Sequence, residues 1–578
     1  MNIQYFGACP NDGSDTTPAV RAALDALRGQ KDARLVFSPG RYDFYPDRAV
    51  EKYLFISNHD ECLKHIAFWI EGFDGLEIDG GGAQFVFHGL ISPFALQDSG
   101  RVRLGNFSID WARTFHSEAL VLATHPAENE AENGVSSVDL QIPAAFPYRI
   151  EDQQLIFTGE GSDSYILGNA LEFDPVRRET ARDVHDNYAI HAWHRALEIG
   201  PRQVRLSTRF SSVPAPGNVL ALIDGMRFCP AISASDCHSI AIENVSLYHC
   251  GGMGFIAQRT RDIQVRKLSV VPAPDSERLI SLSADATHFV NCAGHIEISD
   301  CRFENQLDDA TNVHGLYARI SRRISDTELE IELVHPQQRG VTFAGAGDRL
   351  GFIDNQTLET YHGARVQSVT RLNRSYTRLQ FAAPLPAEVS AGHGIENHEW
   401  QPDVTIRGCT ARGNRARGFL ISTPGRVLIE NNTFHTPGAA ILIAGDVNHW
   451  FESGAVRDVT IRGNTFNNCL FGVWGRAVID ICPEIEPQFR AGSRYHRGIS
   501  IENNRFCALD ARILRAQCVN GLTISGNIIE SSNDYGRGED TFDPNEPKFS
   551  DAELYFVEAC QNVLFHNNGG AESSAFEM

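Results

Sequence analysis

The chain has 578 residues, of which 51 are basic and 73 acidic, so its net charge is −22. This charge argues against nucleic acid or an anionic membrane as a partner. Forty-nine glycines with only four methionines favour a turn-rich β protein. No apolar run approaches the roughly 18 residues that a membrane span requires. The 13 cysteines lack zinc-site spacing, and we interpret them as buried free thiols.

The first 45 residues predict a cap. The run D-G-S-D-T-T-P-A-V-R-A-A-L-D-A-L-R is typical of a short amphipathic helix, with Thr16 or Thr17 as N-cap and Pro18 at the first helical position. Such a helix would cover the open end of a solenoid. The start, M-N-I-Q-Y-F-G, has no basic n-region and no apolar h-region. The sequence is compatible with two localisations: a cytoplasmic protein, or a secreted or periplasmic protein whose leader has been removed.

A repeat of the form x-I-x-I-x-N-x-x-F recurs through the chain. Equivalent positions are separated by 265 − 242, 429 − 406 and 524 − 501 residues, each equal to 23. Alternating apolar residues without intervening helices predict a parallel β-helix, right-handed by the general crossover rule. The asparagines of successive repeats should stack and bond along the axis, and they are Asn432, Asn464, Asn504 and Asn527.

Two regions interrupt the repeat, and their short alternating strands predict small antiparallel β-barrels inserted between coils. The predicted organisation is therefore all-β, with a capping helix, a β-helix and two insertions. Its parts are a cap with first coils (1–116), a barrel-like insertion (117–235), central coils (236–315), a second barrel-like insertion (316–400) and C-terminal coils with a tail (401–578).

The central coils carry Asp285, Asp308 and Asp309. Since 308 − 285 = 23, one coil would place Asp285 and Asp308 one above the other, roughly 4.8 Å apart. Clustered carboxyls cannot all ionise at neutral pH, so one can act as acid and another as base in glycosidic cleavage. Turn-capping aspartates and a calcium site are the alternatives. The polar residues around the trio are candidate sugar ligands: Asn305, Gln306, Asn312 and His314.

Polar residues also cluster with an aromatic near the N-terminus, in F-I-S-N-H-D and S-I-D-W-A-R-T-F-H-S-E. They can bind sugar, or they can tie the first coils to the first insertion. The candidates are Asn58, His59, Asp60, Trp111, Arg113, His116 and Glu118. Trp474 and Trp450, on later coils, are candidate stacking platforms, and core packing is the alternative for both.

Three motifs, E-K-Y-L-F-I-S-N-H-D, F-S-I-D-W-A-R-T-F-H-S-E and F-E-N-Q-L-D-D-A-T-N-V-H-G, resemble glycoside hydrolase family 110. The resemblance implies an exo-acting, inverting α-1,3-galactosidase of the blood group B type, with no metal and no cofactor. It maps the catalytic carboxylates onto Asp285, Asp308 and Asp309. Thr114 departs from the family pattern, where proline is expected. By analogy with polygalacturonases, Asp309 would be the acid, while Asp285 and Asp308 hold the attacking water.

We therefore predict hydrolysis of an oligosaccharide with a terminal α-galactose. A polysaccharide lyase is a rival, disfavoured by the negative charge and by the lack of a clustered basic face. A non-catalytic glycan-binding β-helix is another. The sequence does not separate branched, fucosylated substrates from linear ones, and it is compatible with a homodimer.

Overall fold

The computed structural model describes residues 1–127, 134–160, 164–508, 512–535 and 554–569. They form a parallel β-helix with antiparallel insertions, which confirms the predicted fold class. Much of the C-terminal tail lies outside the described residues. Within the described part, none of the helices combines the length and apolar character that a membrane span needs. The helices there are Ile3–Phe6, Thr17–Leu27, Pro46–Arg48, Ala189–Ala192, Pro336–Gln338 and Pro487–Arg490.

The N-terminal helix Thr17–Leu27 begins where the sequence predicts, with Thr16 as N-cap and Pro18 in the first turn. The capping bond differs, because Asp15 Oδ1 accepts the Thr17 amide at 2.9 Å. Val20 and Leu24 are buried in the main core, so the helix covers the first coil.

One long sheet follows the β-helix from end to end, and its coil-to-coil pairs are parallel. Its strands are Ala33–Val36, Gly40–Phe44, Asp74–Phe87, Gly100–Trp111, His238–Leu247, Arg261–Val270, Ala293–Ser299, Arg302–Glu304, Asp403–Arg407, Thr410–Arg412, Arg426–Glu430, Thr433–His435, Asp458–Arg462, Thr465–Asn467, His496–Glu502, Arg505–Ala508, Val519–Ser525, Ile528–Ser531 and Gln561–His566.

A second face of the β-helix carries the site described below. It is mainly parallel, with antiparallel edges. Its strands are Val50–Leu54, Cys62–Glu71, Ser92–Gln97, Ile232–Ser235, Phe255–Gln258, Thr287–Val290, Thr311–Arg323, Phe419–Ser422, Ile441–Ile443, Glu452–Ser453, Ile479–Ile481, Leu514–Gln517 and Tyr555–Glu558.

The first insertion contains a seven-stranded antiparallel sheet and a three-stranded one. Strands of the seven-stranded sheet are Ser117–His125, Ser136–Gln141, Asn169–Asp174, Glu179–Thr180, Arg195–Gly200, Gln203–Thr208 and Val219–Ile223. Those of the smaller sheet are Tyr148–Glu151, Gln154–Thr158 and Ser164–Ile166. The coil has resumed by Ile232–Ser235, which pairs in parallel with Phe255–Gln258.

The second insertion closes into a six-stranded antiparallel barrel, because its first and last strands pair. Its first strand is the outer half of Thr311–Arg323, so the barrel grows directly out of a coil strand. The other five are Glu328–Glu332, Arg349–Ile353, Thr360–Arg371, Tyr376–Phe381 and Gly394–Asn397.

Identical side chains stack inside the coils, because alternating strand residues point inward. Phe434 and Phe466 stack with ring centroids 5.0 Å apart, and Phe466 and Phe506 at 4.6 Å. Each buried phenyl contributes about 1.5–3 kcal/mol of transfer free energy. The predicted asparagine ladder is confirmed, since the side-chain amides of Asn432, Asn464 and Asn504 each donate to the next asparagine at 3.0 Å. The cysteines are free thiols, as predicted, and eight of the thirteen are buried. The prediction of burial is wrong for Cys9, which is exposed, and for Cys62, Cys482, Cys507 and Cys560, which are half-buried.

The 23-residue period holds where Ile240 pairs with Ile263, but it is wrong at the aspartates. There Thr287 pairs with Thr311, an offset of 24. One extra residue in that coil brings Asp309, and not Asp308, level with Asp285.

Candidate active site

The aspartate pocket lies on the second face, where coil strands begin. Asp285 stands two residues before the strand Thr287–Val290, and Asp308 and Asp309 stand just before Thr311–Arg323. Strict alternation would send consecutive residues to opposite faces. Because Asp308 and Asp309 precede the strand, both line the pocket.

The three carboxyl groups converge, each offering an oxygen within 4.8 Å of the others. All are buried, with exposed fractions of 3%, 8% and 2% in chain order. Asp308 bridges two guanidinium groups: Arg227 Nη2 donates to Oδ2 at 2.5 Å and Arg415 Nη1 to Oδ1 at 2.9 Å. We expected no clustered basic residues, and that expectation is wrong at this site.

Asp309 has a different partner. The Arg417 guanidinium donates to both of its oxygens, at 3.0 and 2.9 Å, and the Arg417 amide donates at 3.0 Å. With Asp308 and Asp309 already neutralised by three guanidinium groups, the trio is a poor cation site, although carboxylates in this number would otherwise suit calcium.

The three environments separate the pKa values. Burial raises the pKa of Asp285 to about 8, with help from the charge of Asp308. Burial also raises the pKa of Asp309 to about 7, against the opposing effect of Arg417. For Asp308, burial is outweighed by Arg415 and Arg227, and its pKa falls below the ordinary value. The trio therefore combines an ionised Asp308 with an Asp285 that keeps its proton at neutral pH, while the two-pronged contact from Arg417 opposes protonation of Asp309.

Two histidines lie behind Asp285. His288 Nδ1 is 2.7 Å from Asp285 Oδ2, and His288 Nε2 is 2.9 Å from His314 Nε2. His314 Nδ1 is 2.7 Å from the Gly315 carbonyl oxygen. Burial lowers the pKa of both rings, that of His288 to about 4.

Among the residues predicted around the trio, Asn312 lines the pocket and His314 lies behind it. Asn305 donates from its side chain to the carbonyls of Arg178 and Leu279, which ties the first insertion to the coil. Gln306 is fully buried, and its side-chain polar atoms have no hydrogen-bond partner among the described residues.

Of the motif at 55–60, Asn58 lines the aspartate pocket. Asp60 acts through Arg227, because its Oδ2 accepts the Arg227 amide at 2.7 Å. His59 accepts the Met253 amide at Nε2 and contacts the Ser57 carbonyl through Nδ1, so main-chain groups occupy both ring nitrogens.

The second N-terminal cluster forms a structural network away from the aspartates. Trp111 donates to the Gly89 carbonyl at 3.1 Å. The Arg113 guanidinium donates to neighbouring carbonyl and hydroxyl oxygens. His116 bonds Glu118, which also accepts the amides of 279 and 280. None of Trp111, Arg113, His116 and Glu118 lines the aspartate pocket, and the network joins the first coils to the first insertion.

The two later tryptophans differ in position. Trp450 lines the aspartate pocket and keeps 42% of its surface exposed. Trp474 donates to Asp186 Oδ2 at 3.3 Å, and Asp186 in turn binds Arg415 Nε at 3.0 Å. Trp474 therefore supports Arg415 from behind.

Family models match three parts of the chain. A "Right handed beta helix region" matches residues 391–568. "GLAA-B beta-barrel domain I" matches residues 119–220, and "GLAA-B beta-barrel domain II" matches residues 328–395. These matches agree with the handedness predicted for the coils and with the two insertions.

The chain also aligns with curated proteins over nearly its whole length. It is 37% identical to Alpha-1,3-galactosidase A of Shewanella woodyi, covering 98% of this chain and 90% of the relative. The chain belongs to glycoside hydrolase family 110. Alpha-1,3-galactosidase B of Bacteroides thetaiotaomicron is 34% identical, with 98% and 90% covered. Alpha-1,3-galactosidase A of Bacteroides fragilis is 32% identical, with 91% and 86% covered.

This family member has a second pocket beside the first. The two share Arg227 and Asp308 as a common wall. Tyr188 and Met226 form its rim and remain 58% and 44% exposed. Arg415 forms part of this wall, and its Nη2 lies 3.2 Å from the Tyr188 hydroxyl. The second pocket thus combines an aromatic rim with charged walls, which suits a sugar ring.

Several residues of the site were not predicted from the sequence. The position of Arg417 could have been predicted from the repeat, because 417 − 309 = 108, which equals the offset between the repeats that begin at 296 and 404. Subtracting the second insertion would have placed Arg417 on Asp309. Arg227, at the end of the first insertion, has no repeat position to identify it. Three further acidic residues also line the pocket, and they are Asp446, Glu452 and Glu484.

Proposed function

We propose that this protein hydrolyses terminal α-1,3-linked galactose from oligosaccharides or glycoconjugates, acting from the chain end and with inversion. The observation that carries the proposal is the trio of buried carboxyls that converge in one pocket, with Asp308 paired to two guanidinium groups and Asp285 backed by histidine. The linkage and the sugar are proposed from the relatives that align over nearly the whole chain, which are named alpha-1,3-galactosidases.

Glycosidic hydrolysis requires a base for water and an acid for the leaving oxygen. Asp308 is the base, because two guanidinium groups keep it ionised. The acid is one of the two carboxyls whose pKa is raised, Asp285 or Asp309. The trio lies closer together than the roughly 6.5–9.5 Å between carboxyls of most inverting enzymes. With three carboxyl groups, two can hold the water that attacks the anomeric carbon while the third protonates the leaving oxygen. The separation expected for a pair of carboxyls therefore does not apply to this trio.

The pocket walls support action on a chain end. A segment of the late coils, residues 444–452, contributes to the lining of the aspartate pocket, and its end, Glu452–Ser453, pairs with Gly315 and Leu316. Asp446 holds this segment in shape by accepting the amides of residues 448–451. In this proposal Trp450, which lines the pocket and remains partly exposed, stacks on the apolar face of galactose.

The second pocket is then the place for the sugar that carries the galactose. It adjoins the reacting position through Arg227 and Asp308, on the side of the first insertion. Tyr188 and Met226 offer apolar contact to a ring or to a methyl group such as that of fucose. The choice between branched and linear substrates would be made here.

The test is free galactose released from two trisaccharides, the branched blood group B form and the linear α-1,3-galactosyl form. Release from either, abolished in Asp308→Asn, supports the proposal. Release from the branched form alone indicates that the second pocket requires fucose. No release by folded protein from either substrate would refute the activity. Binding without release would favour a glycan-binding role.

A further inference from the structure

The hydrogen bonds behind Asp285 restrict where its protons can be. A carbonyl oxygen only accepts, so His314 Nδ1, 2.7 Å from the Gly315 carbonyl, carries a hydrogen. In a neutral ring the other nitrogen, His314 Nε2, is then an acceptor. His288 Nε2 lies 2.9 Å from it and must be the donor.

The same logic reaches the carboxyl group. If His288 is neutral with its hydrogen on Nε2, its Nδ1 is an acceptor. Asp285 Oδ2 lies 2.7 Å from that nitrogen. Two lone pairs at this distance would repel, so the carboxyl must supply the hydrogen. Removing that proton leaves either this contact or the contact between the two Nε2 atoms without a hydrogen.

The proton could instead reside on a ring, paired with an ionised Asp285. Whether that ring is His288 or His314, an imidazolium and an ionised carboxylate are then both buried. A neutral carboxyl beside two neutral rings buries no charge. His288 and His314 are 1% exposed. Arg227 and Arg417 favour an ionised Asp285, while the charges of Asp308 and Glu452 favour its protonated form.

Other charges reach the rings. Glu452 Oε1 is 3.5 Å from His314 Nε2 and favours a charged ring, while Arg227 opposes a charge on His288. His59, from the loop between Val50–Leu54 and Cys62–Glu71, is itself buried with a lowered pKa. Burial of all three rings opposes an imidazolium here.

We propose that Asp285, His288 and His314 form one hydrogen-bonded chain that holds a transferable proton on Asp285, making Asp285 the proton donor and the two histidines its positioning residues. This rests on the proposed hydrolysis and departs from the analogy that makes Asp309 the acid. Asp309, which accepts three N–H groups from Arg417, is instead held as an acceptor.

The proton balance closes within the trio. The hydrogen on Asp285 Oδ2 leaves its contact with His288 Nδ1, and its O–H bond breaks as the glycosidic oxygen gains that hydrogen and parts from the anomeric carbon. Asp308 takes a proton from the water whose oxygen bonds to that carbon. The proton then returns from Asp308 to Asp285 through solvent, which restores the chain. No further reactant is needed.

The test uses the free protein, so it remains informative even if no galactoside is cleaved. In the infrared difference spectrum of wild type against Asp285→Asn, we expect a protonated-carboxyl band at pH 7 that disappears as the pH rises. His314→Phe removes the acceptor for His288 Nε2, which lets His288 donate to an ionised Asp285. The band should then disappear at a pH about one unit lower, a tenfold change in proton concentration. His314→Gln keeps an acceptor oxygen and should stay near wild type.

Absence of the band at pH 7, or an unchanged titration in His314→Phe, would overturn the proposal. If His314→Phe does not fold, imidazole ¹⁵N shifts of the wild type decide instead. They should report a hydrogen on Nε2 of His288 and on Nδ1 of His314. The reverse tautomer of His288 would contradict the chain. For an active enzyme, the basic limb of kcat/KM should move with the infrared titration.

Discussion

The substitution Asp308→Asn tests the ionised carboxylate with little change of shape. A general base typically contributes a factor of about 10²–10⁴, and we expect kcat/KM for a terminal α-1,3-galactoside to fall by that factor. The change also removes the charge that Arg227 and Arg415 share. Arg415 keeps Asp186, so the main loss is at Arg227. Breaking a buried ion pair costs about 3–5 kcal/mol, and we expect the lower end, about 3 kcal/mol of unfolding free energy.

The chain offers a matched control in Asp480→Asn. Asp480 is 1% exposed and accepts from Arg515 at 2.6 and 2.9 Å, but it lines neither pocket. The control should lose a similar amount of unfolding free energy in urea and keep wild-type turnover. Galactose release measured below both unfolding transitions separates the two effects. Near-wild-type turnover in Asp308→Asn, or an equal loss of turnover in Asp480→Asn, would refute the assignment.

Three further outcomes follow from the same structure. Trp450→Ala should raise KM for every α-1,3-galactoside by about tenfold, from loss of stacking on the terminal sugar, and an unchanged KM would remove Trp450 from the binding site. Tyr188→Ala should raise KM for trisaccharides but leave a simple alkyl galactoside unaffected, and equal effects on both would contradict the second pocket as the place of the next sugar. If protonated Asp285 is required, activity should be retained below about pH 8 and lost above it. Because its folded pKa is raised, its contribution to unfolding free energy is fully present below about pH 4 and lost as the pH rises through about 8, so titrating stability in Asp285→Asn should remove this dependence.

Much of the fold could be predicted from the sequence because each coil repeats the same short pattern of apolar and turn residues. The run V-T-I-R-G-N-T-F at 459–466 contains inward residues, a left-handed Gly463 and the ladder residue Asn464, so one repeat specifies one coil. The insertions could be predicted because they interrupt that period. The 24-residue offset at Asp285 could not be predicted, because one added residue in a turn leaves the strand pattern unchanged.

The site was only partly predictable. Asp285, Asp308 and Asp309 stood out because coil spacing brings them together. Arg227 did not, since it lies at the end of an insertion whose path depends on tertiary packing. Trp450 was one of two candidate stacking residues, and only the structure separates it from Trp474. The polar cluster around Trp111 and Arg113 was a candidate sugar site that does not line the aspartate pocket. A buried structural network and a sugar site use the same residue types, so the sequence could not distinguish them.

The stereochemistry of the first product tests the central claim most directly. Hydrolysis of the linear α-1,3-galactosyl trisaccharide can be followed by ¹H NMR, faster than galactose mutarotates. The account predicts that the β-anomer of galactose appears first, as water attacks opposite the leaving oxygen with Asp308 as base. Initial release of the α-anomer would mean that one of the clustered carboxyls acts as a nucleophile, and it would contradict the mechanism proposed for the trio.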